Sequence, residues 1–290
     1  MELRVLRYFL IVAREENITR AAQLLHITQP TLSRQLMQLE EELGVKLFHR
    51  SKHHIILTED GLLLKQRAQE MIMLSDKTIQ ELSHRSDVLS GEIAIGCGES
   101  RNMSFLAEQM KSFNKLYPQV KFSIYSATTD DIKDRIEKGL LDMGLLMEPV
   151  NIVRYEFIHM PLREKWAILT RRDSELGNKL VIKPEDLLNT PLLIGKRELV
   201  KHEIANWFGE YYEQINIVAD YNLLLNAAAM VREGVGVAIG FDLGAIYEDL
   251  RVVPLSPALE TGAVLAWKRN QTHASATSYF IKHIKNNLDI

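Results

Sequence analysis

Two sets of side chains in this sequence have the types and spacing for molecular recognition, and a third approaches a catalytic motif without completing it. The first runs from Gln29 to Gln38. Pro30, Thr31, Arg34 and Gln38 fall opposite the helically spaced Leu32, Leu36, Leu39 and Leu43, with Gln29 and Ser33 on the flanks. A Gln amide reads adenine, a guanidinium reads guanine and a Thr methyl packs on thymine, so the set suits the major groove of DNA. The second set lies farther along: Ser100 and Asn102, Thr128 and Thr129, Gly195-Lys196-Arg197, and Asn222. Hydroxyls and free N–H groups at helix starts can hold a carboxylate, and Lys196 and Arg197 add positive charge. Plainer uses stay open: Ser100 and Asn102 as helix caps, Lys196 and Arg197 as solvated cations.

The third set is Gly98-Glu99-Ser100-Arg101-Asn102, which ends in Asn where a G-x-S-x-G nucleophile elbow needs Gly. Gly234-Val235-Gly236 is followed by Gly240, one place too late for a dinucleotide fingerprint. His49, His53 and His54 match no zinc spacing and have no thiolate nearby. There is neither a P-loop nor an H-E-x-x-H. The expectation is therefore a protein that is not an enzyme and needs no metal or cofactor.

Leu3, Leu6, Leu10 and Ala13 mark a first helix. Asn17 can cap a second, with Ile18, Ala21, Ala22 and Leu25 facing inward, and His26-Ile27-Thr28 makes a turn. Thr28 can cap the third helix, where Pro30 suits the first turn, and Gly44 ends it. This is a helix-turn-helix whose second helix carries the base-reading set. Asn17 and Thr19 are placed for phosphate contacts. Val45 to Thr58 reads as a β-wing whose Arg50, Lys52 and His53 would approach the DNA backbone or minor groove.

Thr58 starts a long polar helix in which Ala68, Ile72, Ser75, Ile79 and Leu82 form a narrow apolar seam suited to pairing with a second copy. From Ser83 to Ser90 that pattern is lost and the chain reads as a hinge. Beyond it, strands near 92–96, 121–126 and 143–147 alternate with helices near 103–117 and 129–138. A second series has strands near 166–170, 192–194, 215–219, 237–239 and 261–267, with helices near 183–188, 202–208, 222–233 and a last one at 274–287. This alternation calls for mainly parallel sheets covered by helices.

The net charge of −3 argues against a nucleic-acid binder until it is divided. Residues 1–58 hold eight Lys and Arg against six Asp and Glu, so a mildly basic head sits on an acidic body. The single cysteine, Cys97, excludes an intrachain disulfide, and no run approaches 18 apolar residues. With no signal-like start, the expected location is cytoplasmic.

Leu6, Phe9, Ala13, Ala21-Ala22, Leu25, Gln29-Pro30-Thr31-Leu32-Ser33, Leu36, Leu39-Glu40, Leu43-Gly44, Leu47-Phe48, Arg50, Leu57-Thr58 and Gly61 together resemble the N-terminal signature of LysR-type transcriptional regulators. Asn17 stands where that family usually has Ser or Thr, and it caps equally well. The resemblance implies a fold with an N-terminal winged helix-turn-helix, a linker helix, and a C-terminal α/β region of two Rossmann-like subdomains similar to periplasmic binding proteins. The expected domains are 1–58 for DNA, 59–87 for linkage and dimerisation, and 88–290 for effector binding. Within the last, subdomain I covers about 91–161 and 268–290 and subdomain II about 162–267. The implied partners are double-stranded promoter DNA, a small-molecule effector in the cleft, further copies of the chain as a homodimer or homotetramer, and the transcription machinery, with no membrane. A cytosolic α/β enzyme or a solute-binding module fused to the same head is the rival reading.

Overall fold

In a computed structural model, residues 1–50, 55–83, 89–269 and 274–288 are described. The chain divides into two compact units, Met1–Arg85 and Ser86–Ile290. In the first, α1 (Leu3–Glu15), α2 (Ile18–Leu24) and α3 (Gln29–Leu43) are followed by the paired strands β1 (Phe48–Arg50) and β2 (Ile55–Leu57), then by α4 (Glu59–Ser83). The Asn17 side chain accepts the Arg20 N–H at 2.9 Å, and the Thr28 hydroxyl accepts the Thr31 N–H at 3.4 Å. Each satisfies an N–H that a helix start leaves orphaned. Gly44 ends α3 with φ +70°, a left-handed conformation that glycine adopts without steric cost.

Leu6, Phe9, Val12, Ala21, Leu32, Leu36, Leu39 and Leu47 are buried in one core. Ala68 and Ile72 belong to that same core, where α4 packs against α1. Two of the five seam positions expected to meet a second copy are thus spent inside the chain. The apolar side chains that α4 leaves exposed are Leu62, Leu63, Met73, Leu74 and Ile79. Ser75 is half-buried, and the Leu82 side chain lies outside the described residues. The helix therefore folds with the head rather than standing as a separate linker.

The second unit holds two sheets. The first combines β3 (Ser90–Cys97), β4 (Gln119–Ser126), β5 (Met143–Met147), β6 (Tyr155–His159) and β13 (Ala263–Lys268) in the order β4-β3-β5-β13-β6. The second combines β7 (Glu164–Arg171), β8 (Pro191–Gly195), β9 (Asn216–Tyr221), β10 (Val237–Phe241) and β11 (Leu250–Pro254) in the order β11-β7-β10-β8-β9, with the short β12 (Glu260–Thr261) paired to β7. The helices are α5 (Asn102–Leu116), α6 (Thr129–Glu137), α7 (Glu198–Phe208), α8 (Leu224–Arg232) and α9 (Ser275–Asn287).

Three sequence expectations change. The strand expected near 261–267 in subdomain II is instead β13, which crosses back and completes the first sheet, antiparallel to both β5 and β6. Its burial is continuous, so alternation could not reveal which sheet it joins. The sheets are mixed rather than mainly parallel, since β7 runs antiparallel to β10 and β11. The segment near 183–188 is one short 3-10 turn, Pro184–Leu187, instead of a helix.

Candidate DNA-reading head and ligand cleft

On α3 Leu32, Leu36 and Leu39 are buried, whereas Leu43, expected in the same stripe, is 38% exposed in the last turn before Gly44; Gln29, Pro30, Thr31, Arg34 and Gln38 are exposed, with Ser33 partly so. The Thr31 hydroxyl lies 2.8 Å from that of Thr28, so it is partnered at the helix start. Asn17 and Thr19 stand exposed at the start of α2. β1 and β2 pair with Phe48 opposite Leu57 and form the stem of the wing. Lys52 and His53 lie outside the described residues, as does the side chain of Arg50.

One residue of the head had no role in the sequence reading beyond its place in the signature. Glu40 is 3% exposed, and its Oε1 accepts the N–H groups of Leu47 at 2.8 Å and Phe48 at 3.3 Å. Lys46 Nζ stands 3.4 Å from Oε2. A carboxylate on the reading helix therefore holds the root of the wing through charge-assisted bonds. Gly61 completes the junction: a Cβ there would come within 2.2 Å of the Leu47 carbonyl oxygen. The Thr58 hydroxyl donates to the Lys46 carbonyl at 2.6 Å and accepts the Gly61 N–H at 3.0 Å.

In the second unit, a cavity of about 130 Å³ opens between the two sheets. That is close to the size that accepts a single benzene ring, about 150 Å³. Thr128, Thr129, Gly195, Lys196, Arg197 and Asn222 line it, so six of the eight expected effector residues are brought together. Most of the remaining wall is apolar, including Met147, Trp166, Ile239 and Phe241.

Ser100 and Asn102 do not reach this cavity. The Ser100 hydroxyl donates to Glu164 Oε1 at 2.5 Å, and the Asn102 amide donates to the same oxygen at 2.8 Å and to the Leu162 carbonyl at 2.9 Å. Asn102 and Glu164 are both 0% exposed. The start of α5 is therefore already occupied by the protein's own carboxylate, which also accepts the Arg101 N–H at 3.2 Å. Glu164 is missed by sequence reasoning because nothing in its neighbourhood marks it as facing α5. Its charge adds to burial in raising the Cys97 thiol to about 12, with burial the larger cause.

The lining hydroxyls are partly spent as well. Thr128 donates to Asp131 at 2.6 Å as the cap of α6, and Thr129 accepts the Met147 N–H at 3.3 Å. Two charged residues reach across the cavity. From the first sheet, Glu99 accepts the Leu224 N–H at the start of α8. From the second, Arg197 donates to the Met147 carbonyl at 3.2 Å and the Pro149 carbonyl at 2.9 Å. Glu99 lines the cavity and was not among the expected effector residues. In the sequence it stands out only as part of the incomplete elbow Gly98-Glu99-Ser100-Arg101-Asn102.

Residues 3–62 match the family profile of the bacterial regulatory helix-turn-helix protein, lysR family, and residues 86–289 match the LysR substrate binding domain. The chain belongs to the LysR family. It is a DNA-binding transcriptional regulator with an effector-binding domain, and its two matched regions are those of regulators, not of an enzyme. The HTH-type transcriptional regulator AlsR of Bacillus subtilis is 27% identical over 299 residues, covering 99% of this chain and 96% of that protein. YcgK of the same organism, an uncharacterized HTH-type regulator, is 31% identical over 279 residues, with coverage of 88% and 86%. The crystal structure of full-length CbnR with its target DNA superposes with a TM-score of 0.76 at 20% identity, covering 99% of each chain. Among the described residues, no helix of this LysR regulator is long and apolar enough to cross a membrane.

Proposed function

We propose that this LysR regulator reads promoter DNA through Gln29, Thr31, Arg34 and Gln38 on α3, and that a small molecule bearing an anionic group binds the cleft and changes that reading. The observation that carries the first half is the sorting of α3: Leu32, Leu36 and Leu39 buried on one side, and Gln29, Thr31, Arg34 and Gln38 exposed on the other. Arg34 in particular is exposed on that face, which leaves its guanidinium available to a guanine edge. Asn17 and Thr19 would contact phosphate, and Arg50, Lys52 and His53 of the wing would follow the backbone. The regulator acts in the cytoplasm, as a homodimer or tetramer on an interrupted inverted repeat, with recognition helices about 34–36 Å apart or a multiple of that. Leu62, Leu63, Met73, Leu74 and Ile79 are the apolar groups α4 offers to another copy.

For the cleft, Lys196 is exposed at its edge and Arg197 is nearly buried in its wall, an arrangement that supports an anionic group. The effector must bind one assembly better than another for its presence to alter DNA binding. Selection of bound duplexes from a random pool, followed by footprinting with Arg34→Ala, tests the DNA half. A consensus with two-fold symmetry is expected, and protection that survives the substitution unchanged would sink the assignment.

A further inference from the structure

The cleft carries two opposite charges that do not neutralise each other. Glu99 lies at the start of α8, where Oε2 takes the Leu224 N–H, and Oε1 has no hydrogen bond among the described residues. The charge of Glu99 is felt at that end, since it adds to burial in pushing the Tyr221 and Tyr247 hydroxyls above their ordinary range. The Tyr221 hydroxyl cannot answer it, because it donates to the Ile239 carbonyl at 2.6 Å. Arg197 sits in the wall near Met147 with its side chain only 9% exposed. Its two terminal nitrogens are committed to carbonyl oxygens, whereas its buried Nε makes no hydrogen bond. The Asp130 carboxylate, 3.4 Å from that Nε, is 66% exposed and therefore well solvated. No ion pair joins Glu99 to Arg197.

A purely anionic ligand would answer Arg197 and Lys196 and leave Glu99 facing it across an apolar floor. Burying a second carboxylate near the first is costly unless a cation accompanies it. A ligand with both an ammonium and a carboxylate answers each pole, and a single-ring or branched apolar body fits the space between them.

We propose that the effector of this cleft is a small apolar α-amino acid or a close amphoteric analogue, its ammonium received by Glu99 and its carboxylate by Arg197 and Lys196. This rests on the cleft being the ligand site. The full chain is titrated by calorimetry with two matched trios. One comprises leucine, 4-methylpentanoate and isopentylamine; the other comprises phenylalanine, 3-phenylpropanoate and phenethylamine. In at least one trio the amino acid is expected to bind about tenfold more tightly than either single-charge analogue. Glu99→Gln is expected to erase that preference while the protein stays folded, since a glutamine oxygen still accepts the Leu224 N–H. Carboxylates that bind as well as the amino acids, with binding lost in Lys196→Ala, would overturn the amphoteric class and leave the cleft as an anion site. Failure of all six probes would overturn both.

Discussion

At the residue scale, the head depends on one buried acid. Glu40 accepts two backbone N–H groups from the root of the wing. Removing it leaves those donors unsatisfied, each costing about 1–3 kcal/mol. Glu40→Ala is therefore expected to lower the stability of the head by about that much or more, read as the midpoint of urea unfolding. Arg34→Ala, by contrast, touches nothing inside the fold. It should leave unfolding unchanged and weaken specific DNA binding by about 1–3 kcal/mol, measured by anisotropy against matched and scrambled duplexes. Cys97 supplies a third test. With its thiol raised to about 12, the thiolate is scarce in the native protein at neutral pH. A thiol-specific chromogenic reagent at pH 7.5 should label Cys97 only after denaturant is added; rapid native labelling would contradict the burial. The raised value also means that the unfolded chain ionises first. Stability contributed by this thiol is intact below the unfolded value of 9.0 and is lost as pH climbs toward about 12.

At the scale of elements, α4 shows what periodicity reveals and what it hides. The spacing of Ala68, Ile72 and Ile79 marks an apolar seam, but it carries no information on what the seam meets. In the structure the N-terminal part of that seam packs on α1, and Ile79 is 61% exposed. Ile79→Asp should thus lower the apparent mass in sedimentation without changing the unfolding midpoint of the head. Ile72→Asp should unfold it, since an unpaired charge would enter the core. The helix-turn-helix was legible because its caps, its leucine stripe and Gly44 are local signals that agree with one another. β6 and β11 were not, because neither Tyr155–His159 nor Leu250–Pro254 is uniformly apolar or cleanly alternating. The ligand cleft was legible in part. Thr128, Thr129, Gly195, Lys196, Arg197 and Asn222 sit at strand ends and helix starts, which a βα pattern locates. The diversion of Ser100 and Asn102 to Glu164 depends on a pairing across more than sixty residues of chain, and no local pattern encodes it.

At the scale of the molecule, the near-neutral total conceals a division of labour. The head carries the small positive excess, so long-range attraction to DNA is modest, and affinity must come from base contacts and from pairing of heads. Binding is accordingly expected to fall with added salt, with a slope set by the few phosphate contacts each head can make, measured across a potassium chloride series. The place of β13 has a different kind of consequence. It lies between β5 and β6, and β6 pairs with no other strand. During synthesis the second sheet can close while the first still has an open edge at β5 and an unpaired β6 waiting. The lobe that leaves the ribosome first is therefore the one finished last, and its exposed strand edge persists until residues 263–268 emerge.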